Sequence, residues 1–156
     1  MDSIREMQTT PETAARRRAM QLLARATPGE LQAAWDALTP KPEVSAVRGP
    51  ETGLVMVRGR IGGGGDPFNL GEATVSRATV RLGSGEIGHG QMLGTDKAKA
   101  RLAAIFDAIA QVPVHRPAVE ALLSDIAARI EADDRRHAEQ TAATRVDFFT
   151  MVRGDD

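Results

Sequence analysis

Apolar residues recur at helical spacing near both ends of this chain and at strand spacing through its middle. In "TTPETAARRRAMQLLARA", Thr9 with Glu12 offers a capping box and Pro11 falls in the first turn, so a helix is expected to begin there. "TPGELQAAWDAL" repeats the device with Thr27, Pro28 and Glu30, and Leu31, Ala34, Trp35 and Leu38 then share one face. Together these predict an N-terminal helical hairpin, ended by Pro40 and Pro42, which cannot continue a helix.

Between Val44 and Leu93 the pattern changes. "VSAVRG", "GLVMVRGRI", "ATVSRATVRL" and "EIGHGQML" are short, rich in Val, Ile and Thr, and separated by Gly and Pro. Connections this short leave no room for the crossover that parallel neighbours need, so the expectation is an antiparallel sheet of about four strands. "LGTDKAKARLAAIFDAIAQ" then returns to helix, with Thr95 as the expected cap and Leu102, Ile105, Phe106 and Ile109 as the buried stripe. A last long helix carries Val119, Leu122, Leu123, Ile126 and Ile130 on one face, but from Glu131 to Thr144 no large apolar residue follows. That stretch is expected to project beyond the core or to lie on a partner.

The C-terminal "RVDFFTMVRGDD" reads as a strand-like segment. Extended, it places Val146, Phe148, Thr150 and Val152 on one side and Phe149 and Met151 on the other, so both faces are apolar. The chain has four Phe and one Trp, and two of those aromatics are spent here, where termini ordinarily fray. The pattern implies a covered segment, with Phe148, Phe149, Met151 and Val152 as candidate interface residues.

Length and composition narrow the class. With 156 residues, 42% hydrophobic and 26% charged, the chain is expected to form one α+β domain over residues 1–156, residues 1–12 being flexible. Twenty basic against 21 acidic side chains give a formal charge of -1, which argues against an avid binder of nucleic acid or anionic membranes. The absence of cysteine excludes disulfides, thiolate metal sites and a Cys nucleophile. No run approaches the roughly 20 apolar residues of a membrane span, and "MDSIREMQTT" lacks the apolar core of a signal peptide, so the expected location is the cytoplasm.

Candidate chemistry is sparse. "RIGGGGDPFNLGE" puts a glycine loop, Gly62–Gly65, after a strand carrying Arg58 and Arg60. Its backbone could cradle an anion, but it lacks the Lys-Ser/Thr ending and following helix of a phosphate loop, which favours a hairpin connection. Arg58 and Arg60 are the better phosphate-binding candidates. Gly83, Gly85 and Gly88 match a dinucleotide fingerprint in spacing yet lie between two strand patterns, again favouring a hairpin. His89, His115 and His137 are too scattered for a metal motif, and no metal site is expected. His89, flanked by glycines that would let a ligand approach, is the one catalytic candidate, against a structural or surface role. Arg16–Arg18, Asp133 and Asp134 read as solvated helix charge.

Three stretches carry a resemblance: "PETGLVMVRGRIGGGGDPFNLGEATVSRATVRL" (Pro50–Leu82), "MLGTDKAKA" (Met92–Ala100) and "RVDFFTMVRGD" (Arg145–Asp155). They resemble the PhnG family, the G subunit of the bacterial carbon–phosphorus lyase core complex, over nearly the whole chain from about Arg16. The resemblance implies an accessory subunit in phosphonate catabolism under phosphate starvation. Its partners are the H, I and J subunits, two copies of each in the core, with the L subunit needed for the reaction. The complex makes α-D-ribose 1-methylphosphonate 5-triphosphate from ATP and methylphosphonate and releases adenine; the I subunit carries the nucleosidase-like chemistry. No cofactor is implied in this subunit. The family commonly has an arginine where this chain has Thr95, which weakens any phosphate role for that motif, although Asp96 and Lys97 remain.

The resemblance makes the chain an obligate, non-autonomous subunit of a transferase. Two alternatives stand beside it: a catalyst in its own right using Arg58, Arg60 and His89, and a nucleic-acid-binding regulator using Arg16–Arg18.

Overall fold

The computed structural model describes residues 10–60 and 64–143. Two helices, α1 (Pro11–Arg25) and α2 (Pro28–Ala37), lead into three antiparallel strands, β1 (Val44–Arg60), β2 (Pro67–Leu82) and β3 (Ile87–Leu93). Helices α3 (Lys97–Ile109) and α4 (Arg116–Ala143) complete the described chain. The sheet order is β1-β2-β3, giving the expected α+β class.

Local chemistry accounts for most boundaries. The Thr27 hydroxyl accepts from the Glu30 N–H at 3.2 Å while the Glu30 carboxylate accepts from the Thr27 N–H at 2.7 Å, a reciprocal capping box. The first helix is capped one residue later than the pattern suggested, by Thr10, whose side chain accepts from Thr13 N. At α3 the cap is Asp96 in place of Thr95, its carboxylate accepting from Lys99 N at 2.8 Å. A carboxylate meets the partial positive charge of a helix N-terminus better than a hydroxyl does.

Three strands stand where about four were expected. Gly49 and Pro50 interrupt the apolar pattern, but the chain runs straight on past them. The pairing absorbs the interruption as register shifts between Ala46, Arg48 and Glu51, so two strand signals merge into the 17-residue β1. Of the fingerprint-like glycines, Gly83 and Gly85 form the β2–β3 turn, with Gly85 at φ 110° and its N–H donating to Leu82 O at 2.9 Å, while Gly88 lies in β3.

Helix α3 is the centre of the molecule. Every residue from Leu102 to Ile109 is buried, because the sheet covers one side and α1, α2 and α4 cover the others. Ala78, Val80, Leu82 and Met92 supply the sheet's contribution, and Leu23, Leu31, Val119, Ile126 and Ile130 that of the other helices. Gly88 and Gly90 set the spacing: a Cβ on Gly88 would sit 2.0 Å from Ala104 O, and one on Gly90 2.1 Å from Ala100 O. Strand β3 therefore rests directly on the Ala100–Ala104–Ala108 row, and α3 runs antiparallel to it.

The other directions follow from named contacts. Arg16 near the start of α1 meets Asp107 near the end of α3, and Lys99 Nζ donates to Ala24 O at 2.9 Å, so α1 runs antiparallel to α3. Helix α4 starts beside the end of α3, where Arg116 N donates to Val112 O, and its Arg129 reaches Glu30 and Arg25 O. It is thus parallel to α1 and leaves the body at the end where β3 finishes. Past Ile130 the remainder, to Ala143, buries no residue, as its composition implied.

Candidate docking surfaces

Beyond the body the sheet continues as a two-stranded arm. Leu93 at the end of β3 pairs with Val75, so among the described residues Gly53–Arg60 of β1 and Pro67–Thr74 of β2 have no third strand beside them. At about 3.3 Å per residue the arm is of the order of 26 Å long. Leu54, Met56 and Leu70 are 63%, 53% and 62% exposed, and Val55, Val57 and Phe68 are exposed as well. An isolated two-stranded hairpin is marginal in water, and this one carries apolar side chains on both faces.

Alternation assigns the faces. Residues paired across the ladder share a side, so Leu54 (opposite Thr74) and Met56 (opposite Glu72) continue the side of Ser76 and Ala78, which faces α3. At the register shift between Val57 and Arg58 the alternation of β2 breaks, and Leu70 fills the space over Gly59, where an added Cβ would lie 2.5 Å from its Cδ1. The root of the arm is tied down by Ser76, fully buried, whose hydroxyl donates to Gly94 O and meets the Thr52 hydroxyl, both at 2.9 Å. The projecting part of α4, about 20 Å of helix, leaves the body in the same direction as the arm.

His89 lies on the opposite, open face of the sheet. It is exposed, and its Nδ1 sits 3.1 Å from the Thr79 hydroxyl. The glycines flanking it admit helix α3, not a ligand. Arg58 and Arg60 are exposed on the arm, Arg60 donating to Gly65 O at 3.3 Å. His89 pairs with Thr79 and Arg58 with Asn69, ten positions apart on β2, roughly 33 Å. The fold does not bring the three together. Gly62 and Gly63 of the glycine loop, and Phe148, Phe149, Met151 and Val152 of the tail, lie outside the described residues.

Two charge clusters belong to the body. Asp107, 2% exposed, accepts from Arg16 Nε at 3.0 Å, from Arg16 Nη2 at 2.7 Å and from the His89 backbone N–H at 2.8 Å. The hydrogen bonds to Asp107 hold the Arg16 guanidinium above its ordinary value. Arg16 and Gln111 also donate to Ile87 O, so the outer edge of β3 is occupied by side chains at Ile87 and His89. In the second cluster Arg129 bridges Glu30 (2.6 Å) and Asp133 (3.2 Å). Its hydrogen bond holds the Glu30 carboxyl below the ordinary glutamate value. Asp133 and Asp134 are helix-surface charges, paired with Arg129, Arg136 and Arg25. Among the described residues no group of three or more His, Asp or Glu could hold a metal ion.

The profile of the family described as "Phosphonate metabolism protein PhnG" matches residues 14–154. The chain belongs to the PhnG family. It is 76% identical over 143 residues, 92% of each chain, to the "Alpha-D-ribose 1-methylphosphonate 5-triphosphate synthase subunit PhnG" of Rhizobium meliloti (strain 1021). The exposed apolar arm of this PhnG chain was legible as "GLVMV" and "PFNL", apolar on both faces of a strand, but the sequence did not show that no described element covers them. The buried Asp107 was missed; its one signal was a carboxylate inside the apolar run "AAIFDAIA".

Proposed function

We propose that this PhnG-family chain is the non-catalytic, assembly-forming subunit of an α-D-ribose 1-methylphosphonate 5-triphosphate synthase. The observation that carries the reading is the identity to a relative bearing that name over nine-tenths of both chains. The arm supports it: Leu54, Met56, Phe68 and Leu70 leave on it exposed apolar surface that another chain would cover. The substrates of the complex are ATP and methylphosphonate, used in the cytoplasm, with adenine released. The H, I and J subunits form the core with this chain, and the L subunit is needed for turnover.

The chain's tail residues Phe148, Phe149, Met151 and Val152 belong to the same docking system, since they follow the projecting part of α4 in sequence. His89, Arg58 and Arg60 act as surface residues and not as a shared catalytic centre.

Co-expression with the other subunits tests this. The full chain is expected to co-purify with the I and H subunits and to support adenine release from ATP plus methylphosphonate, while the purified chain alone turns over nothing. Truncation before Arg145 is expected to leave a folded chain that no longer joins the complex. ATP turnover by the purified chain would sink the reading.

A further inference from the structure

The side-chain ties of the sheet stop at one level. Ser76 donates to Gly94 O and meets the Thr52 hydroxyl, and the ion pairs of Glu51 with Arg48 and Arg77 lie just beside that junction. On the body side, Ala78, Val80 and Leu82 of β2 and Met92 of β3 are buried in the core. On the arm side, no residue of 53–60 or 67–74 is buried, and none belongs to the core cluster. Among the described residues the arm has no ion pair, and its one side-chain hydrogen bond is that of Arg60 to Gly65 O near the tip.

What holds the arm together is then its own ladder. Gly94 N donates to Thr74 O, so Thr74 turns its backbone groups toward β3 and away from β1. Positions alternate along an antiparallel pair, so Val55 and Ala73 exchange N–H···O bonds while Leu54 and Thr74 do not. These bonds lie in a ribbon of two strands, and the register shift between Val57 and Arg58 interrupts them. The exposure of Leu54, Met56 and Leu70 leaves the arm without the apolar burial that stabilises the body, and Gly53 and Gly71 bring no side chain to the pairing. Such a ribbon is marginal in water.

We infer that the arm is a separate cooperative unit, bounded by the Thr52–Ser76–Gly94 junction, that opens and closes independently of the core and is held closed when a partner subunit covers it. The first half stands on the arm itself, and the second rests on the subunit reading. Opening removes no core contact, so the ladder alone resists it. A partner that packs on the paired strands binds only the closed arm, and its apparent affinity is reduced by the fraction of chains in which the arm is closed.

Three changes coincide at the junction and make it a boundary. Strand β2 pairs on both sides from Val75 to Arg81 and on one side only beyond Val75. Burial ends at the same residue, since Val75 and Ser76 are buried and Thr74 is not. The side-chain ties end there as well, at Thr52 and Ser76. A strand that lost these supports one by one would fray gradually toward its tip, whereas their loss within two residues divides one ladder into two units.

The test is amide hydrogen exchange on the full chain, alone and in the complex co-expressed with the other synthase subunits. Alone, the amides of Val55 and Ala73 are expected to exchange at least about a hundredfold faster than those of Ala78 and Val80, and in the complex to slow at least about tenfold. A cross-link separates the two units further. The chain has no cysteine, and Leu54 and Thr74 are a non-hydrogen-bonded pair with Cα atoms about 4.5 Å apart, so Leu54→Cys with Thr74→Cys can be oxidised without a competing thiol. Oxidation of this variant is expected to slow Val55 and Ala73 at least about tenfold against its reduced form and to leave Ala78 and Val80 unchanged. Equal rates for arm and core amides in the isolated chain, or a cross-link that slows both together, would overturn the inference. Arm amides as fast in the complex as in the isolated chain would overturn the coupling to docking. Failure of the unmodified chain to co-purify would remove the subunit reading and leave the separate unit standing.

Discussion

At Gly88 and Gly90 the absence of a side chain is itself the packing device. Helix α3 approaches so closely that a Cβ at either position would overlap backbone atoms of Ala100, Ala104 or Ala108, which cannot move without shifting the central helix. Overpacking of this kind costs about 3 kcal/mol. Gly88→Ala and Gly90→Ala are each expected to lower the unfolding free energy by about that amount in a urea titration, while Gly53→Ala, with open space around it, changes little. At Asp107 the carboxylate is buried and its guanidinium partner half exposed, so loss of the two sides is unequal. Arg16→Met leaves a buried charge held only by the His89 N–H and is expected to cost about 3 kcal/mol. Adding Asp107→Leu to Arg16→Met should recover part of that loss, a non-additivity that a double-mutant cycle reads directly.

Among the elements, α4 adds a polar joint to its apolar packing on the core. Arg129 links it to the start of α2 through Glu30 and to the end of α1 through Arg25 O at 3.0 Å. Because the Glu30 carboxyl is held below its unfolded value of 4.5, its contribution is fully present above that pH and is lost as pH falls through the lower folded value. Thermal unfolding should therefore show an acid-side loss below about pH 4.5 that is smaller in Glu30→Gln, and the difference should vanish at low pH. The strands illustrate a different balance. The glycine and proline at 49 and 50 signal an end to a strand, yet ladder pairing with β2 on both sides outweighs that local preference and carries β1 through.

At the scale of the molecule, one half is a closed core and the other an arm and a helix end that no further described element covers. Leu54→Glu and Leu70→Glu on the arm are expected to leave the unfolding midpoint of the isolated chain within about 0.5 kcal/mol of the original, because neither side chain is buried in it. The same substitutions should abolish co-purification with the partner subunits. A drop in the isolated chain's stability of several kcal/mol would show that the arm is instead covered by this chain itself.

The helices, the capping box of α2, the antiparallel sheet and the bare stretch after Ile130 were readable from the order of residues, because each depends on neighbours a few positions apart: Thr27 on Glu30, Ile105 on Ile109. The tail signature marked the family for the same local reason. Tertiary structure alone decided what depends on distant residues meeting: that the glycines around His89 seat a helix, that Asp107 is buried against Arg16 91 positions away, and that His89 stands far from Arg58. It also brought Arg48 and Glu51 of β1 together with Arg77 of β2 in one ion-paired cluster on the side of the sheet away from α3. Strand pairing, which adds residues of opposite chain direction face to face, creates such clusters, and no linear spacing records them.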